Sequence, residues 1–282
     1  MTAHEQADVI IQQYRERLAK LYRSRQKGIE AAVFAFLKKQ ESKDAALKKR
    51  YERGEISIDE YKQKRLLNIV TDINYRKFLQ TVGEEIAAAA VEGEYMTEEA
   101  KQQAAQIAFD EEKSKVSDKT ALAALAFVSM VLARRKFVKD REAKYISNAL
   151  HSIAIQLTLS PVAELNYKKF VDDTVRKATQ QAIQTSYKGA VARMVTKITY
   201  GENLGRQAVY NVLYAFGVKT HKIWRTQGDE RVRESHEAAE GQTVPIDEPF
   251  IIGGYEMMFP GDFTRGAPAS QYYRCRCWME SD

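Results

Sequence analysis

Apolar residues in the first part of the chain return at three- and four-residue steps. Val9, Ile10, Tyr14, Leu18, Leu21 and Tyr22 make one stripe, the pattern of an amphipathic helix with one buried face. A break is expected near Gly54, where Ser57 and Glu60 form a capping-box pair ahead of a second run through Tyr61, Leu66, Ile69, Ile73 and Phe78. Gly93 is expected to end that helix, and Thr97, Glu99 and Ala100 to open the next, through Ala104, Ile107 and Ala108. Ser117 and Asp118 stand before the most apolar segment, residues 120–133, and Pro161 breaks the pattern after Ser160. A further helix is expected from 162 to about 197, with Gly201 and Gly205 bracketing a short break before residues 206–216.

The period then changes. Val218, Thr220, Lys222 and Trp224 stand at alternate positions, which suits a strand over 218–225. Residues 250–259 read as a hairpin folded at Gly253-Gly254, and residues 229–240 carry helix formers with Asp229 near the start. The expected fold is mostly α, with a long multi-helix N-terminal body over residues 1–219 and a sub-boundary near 160. A small α+β C-terminal module is expected over 220–282. No repeat of fixed period is present, which argues against a solenoid.

Composition sharpens that boundary. Four of the five prolines fall in the last 38 residues, and both tryptophans and both cysteines lie beyond residue 220. Residues 220–282 hold 7 Lys/Arg against 11 Asp/Glu, whereas the preceding 219 residues carry a net +10 within the overall +6. A chain 44% hydrophobic has enough apolar side chains to offset the entropy of ordering, which excludes disorder over most of it. Its apolar runs fall short of the ~20 residues that span a bilayer, so a polytopic membrane protein is excluded as well. Residues 1–6 lack the basic and then apolar segments of a secretory leader, so synthesis into the cytoplasm is expected.

Positive clusters mark the body. Lys48, Lys49 and Arg50, and Arg134, Arg135 and Lys136, are the candidate nucleic-acid contacts, since Lys and Arg neutralise phosphates and release counterions without reading bases. Each cluster alone is better described as the solvated face of a long helix balanced by Glu and Asp. It is the +10 surplus taken whole that points to non-specific contact with double-stranded DNA. No zinc-finger, RNP or helix-turn-helix pattern accompanies it.

The tail holds the distinctive chemistry. Two cysteines one residue apart exclude a disulfide framework, and a bridge between them would be badly strained. Thiolates and an imidazole suit Zn2+, which takes four tetrahedral N/S ligands. Cys275 and Cys277 on an extended segment point the same way, so both can reach one ion, with His236 third and Asp229 or His221 fourth. The spacing is not that of a C-x-x-C knuckle, and reduced, partly buried thiols beside an ordinary polar histidine fit it too. Two catalytic alternatives stand beside these. Cys277 can be a nucleophile activated by His236 with Arg274 and Arg276 alongside, or Asp229, Arg231, Arg233 and His236 can form a nuclease or transferase site. Asp229-Glu230-Arg231-Val232-Arg233 is more simply a helix start with i,i+4 ion pairs. P-loop, dinucleotide and G-x-S-x-G patterns are absent.

Taken in order, Trp224-Arg225-Thr226, the run from Asp229 to His236, Gly241, Pro260-Gly261-Asp262 and Tyr273-Arg274-Cys275-Arg276-Cys277 resemble the phage Mu F-like family. These are the minor head, or head morphogenesis, proteins of tailed double-stranded DNA phages. The resemblance covers about residues 165–280; ahead of it, the long helical region is similar in architecture only. Tyr273 departs from the pattern, where a small polar residue is common. The resemblance implies a minor capsid protein of the head interior, associated with the portal and with coat or scaffold protein, acting in head morphogenesis and in DNA packaging or delivery. It implies residence in the host cytoplasm during assembly and no enzyme activity of the module, and it favours a metal role for His236, Cys275 and Cys277. Some relatives carry fused toxin or ADP-ribosyltransferase domains, which are not expected in the five residues after Cys277. The alternative is a metal- or thiol-dependent nuclease or transferase packaged with the genome.

Overall fold

The computed structural model describes residues 1–71, 73–116 and 167–282. The protein is mostly α, a long helical body followed by a small C-terminal module of short antiparallel strands. Helix α1 spans Ala3–Glu52, and its buried face runs through Ile10, Tyr14, Leu18, Tyr22, Ile29, Val33 and Phe36 at helical spacing, with Val9 exposed. The capping box after Gly54 forms as expected: the Ser57 N–H donates to Glu60 Oε2 at 3.2 Å, and the Glu60 N–H to Ser57 Oγ at 3.1 Å. It opens α2, Ile58–Thr71, which is followed by α3, Ile73–Lys113, and α4, Tyr167–Ala215. The apolar segment 120–133, its Ser117-Asp118 cap, Pro161 and the Arg134, Arg135, Lys136 cluster lie outside the described residues.

Three glycines expected at helix breaks sit inside helices instead. Helix α3 runs through Gly93, where a Cβ would lie 3.0 Å from Leu18 Cδ2. Helix α4 runs through Gly201 and Gly205, where a Cβ would lie 2.5 Å from the Lys101 carbonyl oxygen and 2.2 Å from that of Ala105. Glycine here is a tertiary device: at Gly201 and Gly205 two helix backbones approach more closely than any side chain permits, and Gly93 makes room for the Leu18 side chain. Thr97, expected at a helix start, is mid-helix and donates its hydroxyl back to the Gly93 carbonyl at 2.7 Å.

The described residues pack as two compact units. One gathers Met1–Leu18, α3 from Gly93 onward and Gly189–Asp282; the other takes Ala19–Glu92 and α4 as far as Lys188. Helix gives way to strand between Ala215 and His221, while the unit that contains the strands also takes in the ends of three helices. In the second unit Phe36 stacks on Phe78 at 4.7 Å, and Arg25 pairs with Glu85 and Glu92, each at 3.3 Å.

Within the first unit, β1 (His221–Arg225) is the centre of a three-stranded antiparallel sheet, flanked by β2 (Thr243–Pro245) and β5 (Trp278–Ser281). Strand alternation turns Lys222 and Trp224 inward. The expected hairpin is β3 (Phe250–Ile252) and β4 (Tyr255–Met257), paired Phe250 to Met257 and Ile252 to Tyr255. Its two-residue turn needs positive φ at both positions, supplied by Gly253 at 56° and Gly254 at 83°. The expected helix over 229–240 shrinks to α5, Glu234–Glu237, because Asp229 closes a local turn with the Arg231 and Val232 N–H groups. A second single turn, α6 (Ala269–Tyr272), precedes the cysteines. Trp224, Phe250, Ile252, Met257 and Met279 form one core with Leu204 and Tyr210 of α4, and both cysteines belong to it.

Candidate metal centre

His236 lies on α5, whose turn is set by its own N–H donating to the Arg233 carbonyl. Its ring stands edge-on to Trp224, with centroids 5.5 Å apart and planes at 86°. Cys275 and Cys277 lie between α6 and β5. The approach to them is a left-handed residue, Arg274 at φ 60°, the one non-glycine with positive φ among the described residues. That conformation costs about 1–2 kcal/mol, and the Arg274 N–H donating to Thr196 Oγ1 at 2.8 Å helps to hold it.

These elements bring one imidazole and two sulfurs together. His236 Nδ1 is 3.3 Å from Cys277 Sγ and 3.7 Å from Cys275 Sγ, and the three donor atoms lie within 4.8 Å of one another. All three residues are buried, at 1–3% exposure. A nitrogen about 2.0–2.1 Å and a sulfur about 2.3 Å from one zinc ion, at tetrahedral angles, stand roughly 3.5 Å apart. The two N···S separations bracket that value, and two sulfurs with an imidazole nitrogen are donors suited to a soft, thiophilic cation. The trio can hold a metal, as the sequence suggested.

The electrostatics agree with that fit. The Cys275 thiol is pushed well below its ordinary value, first by its hydrogen bond with Cys277 and also by His236, against the effect of burial. Cys277 is pushed up by that same hydrogen bond and by burial. The two thiols titrate as one coupled pair, and a cation that takes both as thiolates displaces the protons they carry. The indole of Trp224, whose Nε1 has no nitrogen or oxygen partner among the described residues, favours the Cys277 thiolate.

The other sequence candidates lie elsewhere. Asp229 stays out of the trio, since its two oxygens sit 2.6 and 2.7 Å from Arg276 Nη2, and that guanidinium holds its carboxyl below the usual range. His221 is exposed and faces Asp282 at 3.5 Å. Lys48, Lys49 and Arg50 are exposed at the end of α1, with Lys48 on Glu52 at 3.6 Å and Arg50 on Glu55 at 3.3 Å. Of the residues in the two catalytic alternatives, Cys277 and His236 are buried and Asp229 is engaged by Arg276. The residues that the sequence analysis missed are those that position the trio: Gln271 beside the imidazole, and Thr196, Thr199 and Asn203 on one face of α4. For the three on α4, the signal was a polar i, i+3, i+7 row that Arg206 and Gln207 continue.

No family model and no solved structure matches the chain. Among curated proteins it is similar to the NAD(+)–arginine ADP-ribosyltransferase EFV of Enterococcus faecalis, 29% identical over 94 residues, which are 33% of this chain and 19% of the transferase. The chain thus spans less than a fifth of that relative's length.

Proposed function

We propose that this chain is a structural, non-enzymatic protein of the head of a tailed double-stranded DNA phage, with its C-terminal module held by one Zn2+ on His236, Cys275 and Cys277. The observation that carries this reading is that the residues shared with the Mu F-like pattern have framework roles. Trp224 packs on His236, and Arg276 holds Asp229. Asp262 is fully buried and accepts from the Met258 and Thr264 N–H groups. Gly261, at φ 86°, brings its turn within 3.3 Å of the Tyr200 nitrogen, measured from where a Cβ would sit. Core and turn roles of this kind support a structural reading of the shared residues. In this reading the protein lies in the head interior near the portal, touches portal and coat or scaffold protein, and faces packaged DNA with its basic body without reading sequence.

A second reading has one observation in its favour, the partial likeness to an ADP-ribosyltransferase. A metal- or thiol-dependent transferase or nuclease packaged with the genome would use Asp229, Arg231, His236 and Cys277. The short extent of the match accords better with a module shared between chains of different activity. The test is quantitative mass spectrometry of gradient-purified particles, counting this chain against the portal. Copies retained after nuclease and salt washing support the head role; absence from both procapsids and virions removes it.

A further inference from the structure

Zinc histidines are held in place by the group that receives their second ring N–H, and that group decides which nitrogen faces the metal. In this centre the second nitrogen has one evident partner. His236 Nε2 lies 3.1 Å from Gln271 Oε1, the same oxygen that accepts from Ser235 Oγ at 3.0 Å. An amide oxygen with a hydroxyl donor already on it accepts; it leaves Nε2 as the donor and Nδ1 as the lone pair, and Nδ1 is the nitrogen that faces both sulfurs.

The side chain is itself hemmed in. A Cβ on Gly253 would lie 2.7 Å from Gln271 Nε2, so the hairpin turn closes against the far side of the side chain. The Gln271 N–H donates to the Pro268 carbonyl at 2.8 Å, which fixes the single turn that carries it.

We propose that Gln271 is the positioning residue of the metal centre: it selects the Nε2–H tautomer of His236 and so makes Nδ1 the ligand atom, with Ser235 and the Gly253 turn keeping its oxygen on the ring. This rests on the reading of the trio as a metal site. The probe is Zn2+ alone, on the full chain. Long-range 15N–1H spectra of the imidazole-labelled, zinc-loaded protein are expected to show His236 bound through Nδ1 and protonated at Nε2. In competition with a chromophoric chelator, Gln271→Ala is expected to lose roughly 10–100-fold in zinc affinity, and Gln271→Glu, which keeps an acceptor on the ring, to retain it. Circular dichroism of the zinc-loaded variants separates lost affinity from lost fold. Zinc held through Nε2, or full affinity in Gln271→Ala, would overturn the positioning role while leaving the metal centre intact. A wild-type chain that takes up no zinc would overturn both.

Discussion

The hydroxyl of Thr199 donates to the carbonyl of Cys275 at 2.6 Å, across 76 positions of sequence. One turn along α4, the Asn203 amide does the same work twice: Nδ2 donates to the Cys277 carbonyl at 3.1 Å and Oδ1 accepts from the Met279 N–H at 3.0 Å. With Thr196 accepting from Arg274, a polar row on one helix face acts as the missing neighbour strand for the segment that carries both thiols. The candidate site is thus mounted on α4 through hydrogen bonds between its side chains and the main chain of the thiol segment.

Asn203→Leu removes that mounting and orphans a buried carbonyl and a buried N–H. Each such group costs ~1–3 kcal/mol, so the unfolding free energy of the module, from denaturant titration read by tryptophan fluorescence, is expected to fall by an amount of that order and the midpoint with it. An unchanged midpoint would mean that β5 does not depend on α4.

Gly205→Ala tests the helix crossing by its sign. In an open helix this substitution stabilises by up to ~1 kcal/mol. Here the new methyl would stand 2.2 Å from the Ala105 carbonyl oxygen, and crowding of that kind destabilises by ~1–3 kcal/mol. Thermal unfolding decides between a loss and a gain.

These two cases show where local sequence signals stop. The capping box at Ser57 and Glu60 and the hairpin at Gly253-Gly254 were legible because each is closed by residues next to one another in the chain. Gly93, Gly201 and Gly205 carry the same local signal as a helix break, and only the opposing helix distinguishes a contact from a stop. The thiols and His236 were legible as chemistry, and alternation placed Lys222 on the Trp224 face. Asp229 has the right chemistry for a ligand, but Arg276, between the two cysteines, offers it a guanidinium. The strands β2 and β5 were not legible, since three or four residues without strong alternation acquire strand form only by pairing with β1.

Arg206 is buried and donates to Glu111 at 2.9 Å and Glu112 at 2.7 Å, with Glu202 at 3.5 Å. Arg206→Met leaves those carboxylates around an uncharged side chain, a loss of about 3–5 kcal/mol by analogy with other broken buried pairs. Against the effect of burial, the Ala3 N–H and Arg206 hold the Glu111 carboxyl below its ordinary value, so the deficit is expected to narrow as pH falls and Glu111 takes up its proton, which urea titrations at neutral and mildly acidic pH would reveal.

Lys222 donates to the Met258 carbonyl at 2.8 Å and to Gln207 Oε1 at 3.1 Å, and burial pushes its pKa from 10.5 to about 7. Arg265 adds to that shift, while Asp247 and Asp262 oppose it. Between the two values the unfolded chain binds the extra proton, so this lysine makes stability rise with pH from about 7 to about 10.5, by up to ~1.4 kcal/mol per unit. Below about 7 both states are charged and the contribution is flat. The difference in unfolding free energy between the wild type and Lys222→Met, followed across that window, isolates the effect; a flat difference would contradict it.

The most direct test of the structural metal centre is native mass spectrometry of the full chain with zinc present, paired with unfolding of the same samples before and after chelation. One zinc ion per chain is expected, bound by the wild type and lost in His236→Ala and Cys277→Ser, with a C-terminal module that melts earlier once the metal is removed. A wild type that holds no zinc, or a module whose unfolding is indifferent to chelator, would contradict it.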